Sequence, residues 1–192
     1  MLKKSILFML VFCLSTAVQA GWLLDNDNSW LSFLFVKKQN VAETGMFTKL
    51  AGVVDDSGKA ELSIDLASVN TNIEIRDDRM QNFLFETSEH PKAVLTAKLD
   101  MEKISQLVIS NMMIQPITVQ LNLHGSSQKI ESNVVITRLA EDRILVVNQS
   151  VLAVKAAEFG LLKGIEVLRQ LAGLPSISPI ASVSFVFTFK KN

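Results

Sequence analysis

Alternation of apolar and polar residues recurs along the chain and constrains its fold more than any other feature. Leu62, Ile64 and Leu66 fall on one side of a strand, with Glu61, Ser63 and Asp65 on the other. Ile117, Val119, Leu121 and Leu123 alternate with Thr118, Gln120 and Asn122, and Ile130, Ser132, Val134 and Ile136 continue the pattern after a turn at His124-Gly125-Ser126-Ser127. Near the end, Val183, Phe185, Phe187 and Phe189 alternate with Ser184, Val186, Thr188 and Lys190. Period two sends successive side chains to opposite faces of a sheet, so each run reads as a half-buried strand. Less regular strands fit residues 29–37, 46–55, 92–100, 105–113 and 142–154, which brings the total to about eight or nine. So many antiparallel strands must hide their edges by closing on themselves or by stacking. The expected class is all-β: an antiparallel barrel of about eight strands. Pattern alone leaves a two-sheet sandwich open.

Two segments depart from this period. Residues 77–86 fit a short helix with Met80, Phe83 and Leu84 at three- and four-residue spacing. Residues 160–172 fit a clearer one. Leu161, Leu162, Ile165, Leu168, Leu171 and Ala172 take one side, while Lys163, Glu166, Arg169 and Gln170 take the other. Gly173 ends this helix and Pro175 prevents its resumption. Such pieces either cap the ends of a barrel or pack against the outside of its sheet.

The first twenty residues have the form of an export signal. Lys3 and Lys4 give a positive start, Ile6 to Leu14 an apolar run too short to span a bilayer, and Val18-Gln19-Ala20 a small-residue cleavage pattern. Cleavage after Ala20 leaves residues 21–192 as one domain and removes Cys13, the single cysteine. The expected location is the periplasm, with no stable membrane anchor after cleavage. The 19 basic and 19 acidic residues of the whole chain balance, and loss of Lys3 and Lys4 tips the mature charge slightly negative. That balance offers no footprint for nucleic acid. Mean hydropathy is nevertheless positive, at +0.30. Beyond the signal, this asks for much buried apolar surface or a ligand cavity.

Little in the chain suggests catalysis, and the expectation is a protein that is not an enzyme. His90 and His124 both lie in turn-like contexts, where a polar residue bonded nearby is the ordinary case. Two scattered histidines are too few for zinc, and no nucleophile elbow, H-E-x-x-H or phosphate loop occurs. The densest polar group is Glu74, Arg76, Asp77, Asp78 and Arg79. Acids interleaved with arginines suggest mutual neutralisation, with Asp77 and Asp78 suited to the first turn of a helix. The other reading is contact with a ligand head group, for which Arg79 is the best donor.

The apolar faces therefore carry the functional question. A cavity for a long chain needs many aliphatic and aromatic walls and a few polar groups at one mouth. The candidates are Leu62, Ile64 and Leu66 on one strand; Phe83 and Phe85 in the helical segment; Leu95; Ile117, Val119 and Leu121; Phe159; and Phe185 and Phe187. Alternation alone does not tell a hollow interior from a filled one.

The stretch Ser68 to Pro91, SVNTNIEIRDDRMQNFLFETSEHP, resembles the signature of the YceI-like family. Ser68-Val69-Asn70-Thr71 stands for S-V-D-T, with Asn70 where Asp is usual. Arg76-Asp77-Asp78-Arg79-Met80 stands for R-D-x-H-L, with Arg79 in place of the histidine. Phe83-Leu84-Phe85 takes the place of an aromatic pair and His90-Pro91 that of Tyr-Pro. Elsewhere, Gly45-Met46-Phe47, Leu121-Asn122-Leu123-His124-Gly125 and Glu158-Phe159-Gly160-Leu161 match further elements, so the likeness runs from about Trp22 to Lys190. The resemblance implies a lipocalin-like β-barrel, one or two short helices across it, and a lumen holding a long apolar molecule. That molecule would be an isoprenoid-tailed quinone, a polyisoprenoid or a fatty lipid, bound without any further cofactor. The alternative is an envelope stress-response or interaction module with a filled core, acting by its surface, with a homodimer through its less regular edge strands left open.

Overall fold

A computed structural model describes residues 21–192; the export segment read from residues 1–20 lies outside them. Eight antiparallel strands form a closed barrel. In chain order they are β1 (Trp22–Leu24 continued by Trp30–Lys37), β2 (Val41–Phe47 and Leu50–Val54), β3 (Lys59–Asp65 and Val69–Asn70), β4 (Lys92–Lys98), β5 (Met112–Leu123), β6 (Ser126–Ala140), β7 (Arg143–Asn148 and Leu152–Lys155) and β8 (Ile180–Lys191). Each pairs with its sequence neighbours, and β8 returns to β1 through Phe185↔Leu31 and Leu23↔Lys190. Every strand has a partner on each side over at least part of its length, with Leu152–Lys155 paired to β8 alone and Val41–Gly45 to β1 alone.

The register carries the alternation into the interior. Val119 faces Ile130 and Ile117 faces Ser132 across β5 and β6, and Leu62 faces Leu95 across β3 and β4. The β5–β6 turn is tighter than the four residues read from the sequence. His124 and Gly125 alone close it, at φ of +51° and +75°. Two successive positive φ values match the right-handed twist of the strands they join.

Four strands are broken near mid-length. The breaks in β1, β2 and β3 are tied together by side chains: Asn26 accepts from the Leu50 amide at 2.7 Å and donates to the Thr48 carbonyl, and the Ser68 hydroxyl accepts from the Lys49 amide at 3.0 Å. In β7, the Asn148 side chain accepts from the Phe185 amide at 2.8 Å and donates to the Ser150 carbonyl. Interrupted pairing lets strands bend and re-aim. The barrel therefore has two distinct halves.

The lower half is filled. Val54, Ile104, Val134, Ile136 and Ile144 are all at most 2% exposed, and the rings of Phe185 and Phe187 stack with centroids 4.4 Å apart. Helix α2 (Met101–Gln106), capped by Asp100 accepting from the Lys103 amide at 3.1 Å, drives Ile104 into this end. The sequence reading placed a strand at 105–113. Helix and turn occupy most of that stretch because the chain must cross the barrel base between β4 and β5. The two remaining α-helices are α1 (Glu74–Arg79) and α3 (Leu162–Leu171). Both lie at the opposite end.

Candidate functional site

Above the breaks the barrel is hollow. A cavity of about 560 Å³ opens there. In the four broken strands its walls come from the upper halves, Ile64 apart: Leu31, Phe33 and Phe35 from β1, Phe47 from β2, Leu152 and Val154 from β7. Leu95, Val119, Leu121, Leu123, Ile130 and Val183 complete the staves. Phe33 stands 5.5 Å from Phe47, and Phe47 stands 5.7 Å from Phe85, centroid to centroid, so aromatic rings line one side continuously.

The lid is built from two excursions. After β3 the chain forms α1, runs on through a wider π-helical turn (Met80–Leu84), and buries Met80 and Phe85. After β7 a 3-10 turn (Ala156–Phe159) ends at Gly160, φ +70°, and leads into α3. Helix α3 presents Leu161, Ile165, Leu168, Leu171 and Ala172 to the cavity and lies against the π-helical turn. Its outer face is braced locally. The Glu166 carboxylate takes two N–H groups of Arg169, at 2.8 and 2.6 Å, and the Gln170 amide. The Arg169 guanidinium and the Gln170 amide hold the Glu166 carboxyl down at about 2. Arg169 also donates to the Leu174 carbonyl at 2.8 Å, which fastens the segment after the helix.

Polar groups gather at the mouth. Arg76 donates to the Thr71 hydroxyl at 2.7 Å, to the Thr71 carbonyl at 2.8 Å and to the Glu43 carboxylate, and it lies 5.3 Å from the centre of the Phe35 ring. Lys37 pairs with the same Glu43 at 2.5 Å. Lys37 and Arg76 together hold the Glu43 carboxyl below its ordinary value. Asp77 accepts from the Thr71 amide at 2.9 Å and from the Thr71 hydroxyl, the same hydroxyl that takes the Arg76 N–H. Among the described residues no arginine of this cluster pairs directly with one of its acids; Arg76 and Asp77 meet through the Thr71 hydroxyl, and the remaining acids lie on the outer face of the helix. Arg79 donates to the Leu171 carbonyl at 3.2 Å, which satisfies a carbonyl at the end of α3.

Of the residues nominated from sequence, Ile64, Leu66, Arg79, Phe85, Leu95, Val119 and Leu121 line the cavity. Leu62, Ile117, Phe185 and Phe187 are buried at or below its floor, in the filled half, and Phe159 is fully buried under the lid. Phe83 points outward and is 45% exposed, because the π-helical turn shifts it off the stripe formed with Met80. Sequence reasoning did not nominate the β1 wall. In Leu31–Val36 both faces are apolar, so alternation carries no direction there. The lining face of α3 was visible as a helical stripe but was not assigned to the lumen. Lys37 and Glu43 carried no signal, since they meet only when β1 and β2 pair.

His124 lies 2.8 Å from Glu86 through its Nε2 and 4.4 Å, centroid to centroid, from the His90 ring. It ties the end of the first excursion to the β5–β6 turn and does not meet the Arg76–Arg79 cluster's acids. Among the described residues no group of three His, Cys, Asp or Glu side chains could hold a metal, and no helix is long and apolar enough to cross a membrane.

A closed eight-stranded antiparallel barrel with an apolar lumen under a helical lid is the architecture of a lipocalin-like binding protein. The chain belongs to the YceI-like family: the YceI-like domain profile matches residues 22–189. It is similar to a polyisoprenoid binding domain from Saccharophagus degradans implicated in plant cell wall breakdown, with 39% identity, a TM-score of 0.89, and coverage of 90% of this chain and 99% of that one. It shares its fold with Burkholderia cenocepacia BcnA (17% identity, TM-score 0.65, 86% and 98% covered). The Campylobacter jejuni YCEI protein also has this fold (21% identity, TM-score 0.56, 77% and 85% covered). No curated protein sequence matches the chain.

Proposed function

We propose that this protein binds the long apolar tail of an isoprenoid or fatty lipid in the upper half of its barrel and carries it through the periplasm. An isoprenoid quinone is one molecule with such a tail. The observation that carries this reading is the cavity of about 560 Å³, walled almost wholly by apolar side chains, with its charged groups confined to one mouth. The relative whose printed description is a polyisoprenoid binding domain supports the choice of ligand class. The signal-like first twenty residues support the compartment.

The mechanism is partition, with no bond made or broken. Each methylene removed from water contributes about 0.8 kcal/mol, so a tail of about fifteen carbons gains about 12 kcal/mol gross. Ordering the tail and losing its free motion cost about 4 kcal/mol or more. The balance is at most about 8 kcal/mol, which corresponds to roughly micromolar affinity at the tight end. A solid-cored interaction module would not leave the upper half unfilled, since interiors pack at crystal-like density.

Native mass spectrometry of protein purified from its own periplasm, followed by organic extraction, tests the reading. The expected result is a bound species that extraction releases as a lipid. A protein that arrives empty and takes up neither isoprenoid nor fatty probes would overturn it.

A further inference from the structure

The two faces of α1 carry opposite charge, and only the basic face looks into the mouth. Ile75, Arg76, Arg79 and Met80 line the cavity, whereas Glu74, Asp77, Asp78 and Gln81 border a polar groove on the outside. These two sets follow the three- and four-residue spacing of a helix, so the sorting is built into the sequence. With Lys37 from β1, the charged side chains lining the cavity are all cations. Glu43 sits beside them and is shared by Lys37 and Arg76. Asp77 also reaches Arg76 through the Thr71 hydroxyl they share, so two carboxylates stand against three cations. The mouth keeps one positive charge in excess, next to a low-dielectric lumen that screens it poorly.

The three cations are not equally free. The Arg76 fork is taken up by Thr71 and Glu43, and the Lys37 ammonium by Glu43. Arg79 makes one side-chain hydrogen bond among the described residues, to the Leu171 carbonyl. A guanidinium has five N–H donors in a planar fork that matches a carboxylate or phosphate. We propose that the ligand's head group is an anion, a carboxylate or a phosphate, held at the cavity mouth by Arg79 with Lys37 and Arg76 supplying the surrounding positive field. This rests on the reading of the lumen as a tail-binding site and adds to it the chemistry of the head. A neutral head group would leave Arg79 with no anionic partner among the described residues.

The test uses tail-matched pairs on the mature protein: geranylgeranyl phosphate against geranylgeraniol, and palmitate against hexadecanol, each titrated by displacement of a fluorescent apolar probe. The anion of a pair should bind about tenfold more tightly than its neutral partner. That ratio should shrink as salt is raised, collapse toward one in Arg79→Gln, and survive in Arg79→Lys, which keeps the charge. A preference confined to the phosphate pair assigns a prenyl phosphate, one confined to the palmitate pair assigns a fatty acid, and either supports the proposal. Equal affinities within both pairs, or a ratio that Arg79→Gln does not move, would overturn it while leaving tail binding intact. Failure of all four to bind would remove the tail-binding reading and the head-group proposal together.

Discussion

Gly164 of the lid helix rests directly on the main chain of Phe83. A β-carbon at Gly164 would stand 2.4 Å from the Phe83 carbonyl oxygen and 2.8 Å from the Leu84 α-carbon. The two excursions that form the lid touch here, backbone to backbone, and neither surface can give way by rotating a side chain. Alanine is worth about 1 kcal/mol over glycine inside a helix. Overpacking typically costs about 1–3 kcal/mol and is at its worst against backbone. The clash should win. Gly164→Ala is expected to lower stability by about 1–2 kcal/mol, seen as a fall in Tm of roughly 2–8 °C, and to weaken probe binding by displacing α3. A Tm that rises would mean the lid adjusts freely at this contact.

The Glu43 carboxylate gives the mouth a pH dependence with a definite sign. Lys37 first, then Arg76, lowers its pKa below the ordinary 4.5 in the folded protein. A depressed carboxyl contributes stability that is fully present above its unfolded value and is lost as pH falls through the folded one. The window therefore lies below pH 4.5. Wild-type Tm should drop more steeply there than that of Glu43→Gln, whereas near neutrality the variant should be the less stable of the two. Parallel Tm profiles across the acid range would show that the pairing does not contribute.

Gly45 faces Phe33 across the β1–β2 pair, and a β-carbon there would come within 2.5 Å of the end of that ring and 3.0 Å of Thr71. The ring can move, and it lines the lumen. In Gly45→Ala the displaced ring should swing into the cavity, so probe affinity falls several-fold while stability drops by about 1–3 kcal/mol at most. Calorimetric titration alongside a thermal melt separates the two effects. Unchanged affinity would mean that the ring finds room elsewhere.

The barrel was legible because period two is a local signal. Each of Leu62, Ile117, Val119, Phe185 and Phe187 turns inward as its alternation requires. What the pattern could not express is height within the barrel. Leu121 and Phe187 have the same sequence signature, yet one lines a cavity and the other packs against a stacked ring below it. That difference arises from the strand breaks at Asn26, Lys49, Ser68 and Ser150, which depend on bonds between strands distant in sequence. The mouth was hidden for the same reason. Arg76 pairs directly with Glu43 on another strand and reaches the adjacent Asp77 only through Thr71, and Arg79 finds the end of a helix far along the chain.

Because the interior is divided at mid-height, two substitutions on inward-facing positions should have opposite consequences. Ile136 is fully buried in the lower half. Truncation to alanine there loses transfer free energy and leaves a void, at a cost of about 2–5 kcal/mol, but it lies below the ligand. Ile136→Ala should therefore lower Tm strongly while probe affinity of the folded fraction stays near that of wild type. Val183 is only partly buried, lines the cavity, and faces Phe33 across the β8–β1 pair. Enlarging it to phenylalanine adds a ring to space that no side chain occupies, so the usual overpacking cost of about 1–3 kcal/mol does not arise. Val183→Phe should leave Tm nearly unchanged and reduce binding of a long-tailed probe at least several-fold, since the ring takes volume from the tail. If Val183→Phe instead destabilised the fold as a core overpacking does, with probe uptake unaltered, the upper half would have to be as solid as the lower, and the tail would have no place to lie.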